Sequence, residues 1–136
     1  NVSLSLEGET CELLASPSEL TELVYNLIDN AIRYNRPGGK VDIKVESGMS
    51  GYPEGTVMLT VSDTGIGIAK EHTGRVFERF YRVDKSRSKE TGGTGLGLAI
   101  VKHVAERHGA KLTLDSELNV GTTVRVIFYG NVSENP

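Results

Sequence analysis

Residues 16–34 read Ser-Pro-Ser-Glu-Leu-Thr-Glu-Leu-Val-Tyr-Asn-Leu-Ile-Asp-Asn-Ala-Ile-Arg-Tyr. Ser16, Pro17 and Glu19 combine an N-cap hydroxyl, a proline at the first helical position and a capping-box carboxylate. Leu20, Leu23, Val24, Leu27, Ile28 and Ala31 then recur at helical spacing. The pattern predicts one amphipathic helix running to about Tyr34, stopped by Pro37-Gly38-Gly39. Its polar stripe holds Glu22, Asn26, Asp29, Asn30 and Arg33. A solvated face would have that composition too. Asparagine is a poor helix former, however, and Asn26 and Asn30 project from neighbouring turns. A carboxamide oxygen suits a hard cation such as Mg²⁺, and a guanidinium suits phosphate.

Strands flank this helix. Val2, Leu4 and Leu6 alternate with polar residues and predict a half-buried strand; a second short one is expected over Cys11–Leu14. Val41, Ile43 and Val45 predict a further strand, joined through the glycine-rich loop 47–56 to Val57, Leu59 and Val61. A short helical piece is expected around Arg75–Phe80, and a long helix from about Thr94 to His108 with Gly109 at its C′ position. Leu112, Leu114, Val124, Val126 and Phe128 predict a closing hairpin around Gly121. Strand hairpins separated by helices imply an α+β two-layer sandwich: one mixed, largely antiparallel sheet with helices on one face. The domain is expected to cover residues 1–130, with 131–136 a frayed tail.

Composition removes several alternatives. The chain has 136 residues, the size of one domain. Fifteen Lys and Arg against eighteen Asp and Glu give a net charge of −3, so no basic field favours nucleic acid. Cys11 is the single cysteine and forms no internal disulfide, which suits a reducing compartment. No apolar run approaches the ~18 residues of a membrane span, and no signal-peptide pattern opens the chain. A cytoplasmic domain without direct membrane contact is expected.

Glycine is the unusual residue: 16 are present where ~7% usage would give about ten. Six lie in two segments. Asp63-Thr64-Gly65-Ile66-Gly67-Ile68 follows a strand, placing a carboxylate at the edge of the core beside a backbone that a planar ring can approach. Gly92-Gly93-Thr94-Gly95-Leu96-Gly97 precedes the second long helix, where backbone N–H groups can hold phosphate. It is neither a Walker A loop nor a dinucleotide fingerprint, because both spacings fail. Between the two segments, Phe77–Tyr81 is aromatic-rich, and Arg82, Lys85, Arg87 and Lys89 make the following loop positive.

Together these segments resemble the four boxes of the sensor histidine kinases, in order: Asn26–Ala31 the N box, Asp63–Gly67 the G1 box, Phe77–Tyr81 the F box and Gly93–Gly97 the G2 box. The resemblance covers Leu4 to Phe128 and implies the Bergerat-type ATP-binding sandwich with a mobile ATP lid. By position it implies that Asn30 ligates Mg²⁺, with Asn26 contacting phosphate or metal-bound water. Arg33 would lie at the phosphates and Tyr34 against the nucleotide. Asp63 would accept from the adenine amino group, with Gly65, Gly67 and Ile68 shaping the base pocket. Gly93, Thr94, Gly95, Leu96 and Gly97 would anchor the lid, and Arg82 would contact the γ-phosphate.

The related gyrase-, HSP90- and MutL-type ATPases carry a Glu base where Asn26 stands. A carboxamide takes no proton at neutral pH, so transfer to a supplied nucleophile fits better than hydrolysis. His72, His103 and His108 are each followed by a non-acidic residue, unlike the family's phosphoacceptor histidine. The expected function is therefore the ATP-binding catalytic domain of a two-component kinase. Its γ-phosphate would go to a histidine on a separate dimerisation and phosphoacceptor domain, with a response regulator acting further on. The parent protein would be compatible with an inner-membrane anchor. The competing expectation is a nucleotide-dependent interaction module without catalysis.

Overall fold

Helix α1 (Pro17–Arg33) begins at Ser16, whose Oγ accepts the Glu19 N–H at 3.4 Å with Pro17 at the first turn. The capping box closes only halfway. Glu19 reaches Arg107 at 2.8 Å instead of turning back, and the Ser16 N–H donates to His108 Nε2 at 3.2 Å. Both partners stand at the end of a second helix, so the start of α1 is tied to a distant element. Ser16→Ala should remove the cap and lower stability by about 1 kcal/mol, read as an earlier urea midpoint with unchanged slope.

The structure is a computed structural model and describes residues 2–8, 15–78 and 97–129. The expected strand over Cys11–Leu14 and the tail 131–136 lie outside the described residues. Strands β1 (Ser3–Gly8), β2 (Lys40–Ser47), β3 (Val57–Asp63), β4 (Lys111–Glu117) and β5 (Gly121–Phe128) form one sheet in the order β1-β2-β3-β5-β4. β1 runs parallel to β2; the other pairs are antiparallel. Ile43 stands opposite Val61, Val61 opposite Val124, and Leu59 opposite Val126, which puts these side chains on one face. Against that face pack Leu23, Leu27 and Ala31 of α1 and Val101, Val104 and Ala105 of α3 (Gly97–Arg107). The other face is mostly polar, with Asp42, Lys44, Thr60, Ser62, Thr123 and Arg125 in register. The α+β two-layer sandwich with a mixed, largely antiparallel sheet is the observed architecture.

Two local expectations need correction. β1 is exposed along its whole length, with Leu4 56% and Leu6 77% accessible, although they stand in register with buried Val41 and Ile43. Alternation identified the strand and its face; edge position removed the cover. Of the short helix expected around Arg75–Phe80, residues 75–78 form turns and 79–80 lie outside the described residues; a one-turn helix, α2, precedes them over Lys70–Thr73 and Gly74 caps it. The chain then turns through i→i+3 bonds, Arg75 N–H to His72 O and Glu78 N–H to Arg75 O, both 2.9 Å, and buries Val76. The end of α3 follows the sequence more closely. Gly109 follows Arg107 and His108, and the Ala110 N–H donates to Ala105 O at 2.9 Å, satisfying a terminal carbonyl.

Candidate functional site

The polar stripe of α1 faces the start of α3. A Cβ added to Gly97 would lie 3.3 Å from Asn26 Oδ1, so this glycine lets the helix approach the carboxamide. Asn26 is oriented by its own helix, its Nδ2 donating to Glu22 O at 2.8 Å. Asn30, one turn on, is half-buried, and its carboxamide has no hydrogen-bond partner among the described residues. Arg33 Nε donates to Asp29 Oδ2 at 2.7 Å, and this bond raises the guanidinium's already high pKa.

Asp63 ends β3. Its Oδ1 accepts the Gly65 N–H at 2.8 Å and the Thr122 N–H at 3.3 Å. Both bonds fall on the same oxygen, leaving Oδ2 without a partner among the described residues. Burial raises the carboxyl pKa, and the two backbone N–H groups oppose that shift by favouring the charged form. The result is a partly desolvated acceptor with one oxygen fixed and one available.

The turn after Asp63 is held from two sides. On one side the Ile66 N–H donates to Tyr34 O at 3.1 Å, and Gly65 sits so close that a Cβ would drive into the same carbonyl. On the other side the Asn119 N–H donates to Ile66 O at 2.7 Å. Gly67 has φ 72° and presses on the Glu117 carbonyl, so both its conformation and its space require glycine. The Ile68 N–H donates to Ser116 Oγ at 2.7 Å. Buried Asn35 links the same region, its Nδ2 donating to Lys40 O at 2.9 Å and its Oδ1 accepting from Thr64 Oγ1 at 3.3 Å.

The structure thus brings together Asn26 and Gly97, and separately Tyr34, Asp63, Gly65, Gly67 and Ile68, with Asn26 in α1 and Tyr34 capping its C-terminal end. Arg82, Gly93, Thr94, Gly95 and Leu96, and with them the expected lid, lie outside the described residues. Sequence reasoning missed Asn35, Thr64, Ser116 and Thr122, which fix the turn and its carboxylate. No local spacing marks them, because each acts on a residue distant in the chain. The resemblance implies a place for Tyr34 against the nucleotide; the structure shows its main-chain carbonyl holding the turn.

Residues 15–130 match the family model of histidine kinase-, DNA gyrase B-, and HSP90-like ATPases. The chain belongs to this family. It is 45% identical over 124 residues to the sensor histidine kinase RppB of Synechocystis sp., an alignment covering 90% of this chain and 26% of RppB. Among solved structures, the mycobacterial sensor histidine kinase MprB superposes with TM-score 0.78 at 30% identity, covering 94% of this chain and 81% of that one. Full-length ShkA in complex with AMPPNP superposes with TM-score 0.75 at 27% identity, covering 93% of this chain and 25% of ShkA. Against the curated relatives RppB, SenX3 and SaeS the chain spans 26%, 31% and 30% of their lengths. It corresponds to the ATP-binding catalytic domain of sensor histidine kinases. Among the described residues, no helix of this domain is long and apolar enough to cross a membrane.

Proposed function

We propose that this domain binds Mg·ATP and transfers the γ-phosphoryl group to a histidine on a separate helical dimerisation and phosphoacceptor domain. The observation that carries the reading is Asp63, a partly buried carboxylate with one oxygen held by backbone N–H groups and the other available. Adenine offers such an oxygen its 6-amino donor, while Gly65, Gly67 and Ile68 leave the turn's backbone beside the ring. Tyr34 would lie against the nucleotide, and Arg33 would meet the phosphates while Asp29 holds its Nε.

Asn30 fits a magnesium ligand. Its hard carboxamide oxygen has no partner among the described residues, and Mg²⁺ commonly takes few protein ligands, the remainder coming from phosphate and water. Among the described residues no cluster of three His, Cys, Asp or Glu competes for that role. When bound, the ion would supply neutralisation of the charge developing on the transferring group. Asn26 would contact phosphate or metal-bound water, and Gly93, Thr94, Gly95, Leu96 and Gly97 would close over the phosphates. Arg82 would meet the γ-phosphate.

In the transfer, a ring nitrogen of the acceptor histidine attacks the γ-phosphorus and the bond to the β,γ-bridging oxygen breaks. ADP leaves with the electron pair. The imidazole proton passes to a base beside the acceptor histidine. No carboxylate stands at position 26 to activate water instead. The phosphoryl group would go on to a response regulator, and the domain would work in the cytoplasm, where ATP is supplied.

The test is transfer in trans. Incubated with γ-labelled ATP and its cognate phosphoacceptor domain, this chain should label the acceptor histidine and release little inorganic phosphate. Tight ATP binding with no transfer would favour a nucleotide-dependent interaction module. Rapid phosphate release without an acceptor would make the domain an ATPase.

A further inference from the structure

We propose that Arg36 is a positioning residue for adenine recognition, a guanidinium clamp that sets the turn carrying the Asp63 carboxylate. The inference rests on the reading that Asp63 meets the adenine amino group. Arg36 follows α1 and belongs to none of the four boxes. Its Nη2 donates to Gly65 O at 2.8 Å and to Asn119 O at 2.7 Å. These are short, charge-assisted bonds to two main-chain carbonyls on different segments. Gly65 belongs to the turn after β3, and Asn119 to the turn joining β4 and β5.

The two segments that Arg36 ties together also supply both donors to Asp63. The Gly65 N–H comes from one, and the Thr122 N–H, three residues beyond Asn119, from the other. Asn119 has φ 68°, and its N–H donates to Ile66 O, so it already faces the turn. The base of the clamp is fixed as well: the Arg36 N–H donates to Asn35 Oδ1 at 2.9 Å, and Asn35 is buried. Removing the guanidinium would leave the two turns joined by the Asn119 N–H to Ile66 O bond without the brace between Gly65 O and Asn119 O. The rotation of Asp63 Oδ2 toward the base would then lose its reference, with no contact to nucleotide removed.

Such a role predicts a loss specific to the 6-amino group. Affinities of the full chain for ATP and for purine riboside triphosphate, which lacks that group, separate it from general loosening. Arg36→Ala should weaken ATP about tenfold, as expected for losing charge-assisted bonds that fix an acceptor, and change the analogue less than twofold. Arg36→Lys keeps a charged donor without the fork and should fall between. In an Asp63→Asn background Arg36→Ala should have no further effect. If Arg36→Ala does not fold, Arg36→Lys and Arg36→Gln carry the same comparison. Equal losses for the two nucleotides, no loss at all, or an undiminished loss in the Asp63→Asn background would overturn the proposal. Should Asp63→Asn alone leave the preference for ATP over the analogue intact, the underlying reading of the site fails instead.

Discussion

Asp63→Asn should weaken ATP binding about 100-fold, close to 2.8 kcal/mol, while leaving the fold in place. The fold survives because an amide oxygen can still accept the Gly65 and Thr122 N–H groups that Oδ1 accepts now. The affinity falls because the other atom becomes an NH₂ donor facing the adenine amino donor. Titration calorimetry with ATP and a thermal melt of the apo protein measure the two halves. Unchanged affinity would remove Asp63 from the base pocket.

The same carboxylate gives ATP binding a pH dependence with a defined sign. Burial raises the Asp63 pKa from the ordinary aspartate value, so the carboxylate protonates earlier on acidification than an exposed one. Only the ionised form accepts the amino group through either oxygen, so ATP affinity should fall as pH drops through that raised value. Apo stability runs the other way. The folded state holds the proton more tightly than the unfolded chain, so this group's contribution is complete below the unfolded pKa. It is lost as pH rises through the folded one. Asp63→Asn should flatten both trends, which ties them to one residue rather than to general acid sensitivity.

What the sequence made legible follows the range of the interactions. α1 was readable because its cap, its proline and its apolar repeat lie within nineteen residues of one another and act on the same element. The same locality exposed Asp63 and its glycines: a carboxylate at a strand end followed by two close backbone approaches is a short-range pattern. β1 marks the limit. Leu4 and Leu6 show which face they occupy, but whether anything covers that face depends on strand order, and β1 is an edge. Arg36 lies further beyond reach, since its two carbonyl partners are 29 and 83 positions away. Sequence patterns nominated the residues offered to ligand. They did not nominate the residues that aim them, because aiming is done across the fold.

Asn30→Ala should show the converse of a structural mutation: phosphoryl transfer falls by about 10²–10³-fold while stability is unchanged or slightly increased. The Asn30 carboxamide makes no hydrogen bond among the described residues, so its removal leaves no described group unpaired. Alanine is also the better helix former in the last turn of α1. A residue that costs helix propensity and makes no hydrogen bond among the described residues is free to serve a ligand. If that ligand is magnesium, two measurements should move together. The initial rate of transfer to the acceptor domain should collapse, and the gain in ATP affinity on adding Mg²⁺ over EDTA should disappear. Asn30→Asp supplies the control, since a carboxylate oxygen still suits the cation and should keep that magnesium-dependent gain. A transfer rate for Asn30→Ala within threefold of wild type would mean that the half-buried carboxamide meets only solvent and takes no part in transfer. Retention of the magnesium effect with loss of transfer would instead place Asn30 at the phosphates rather than at the ion.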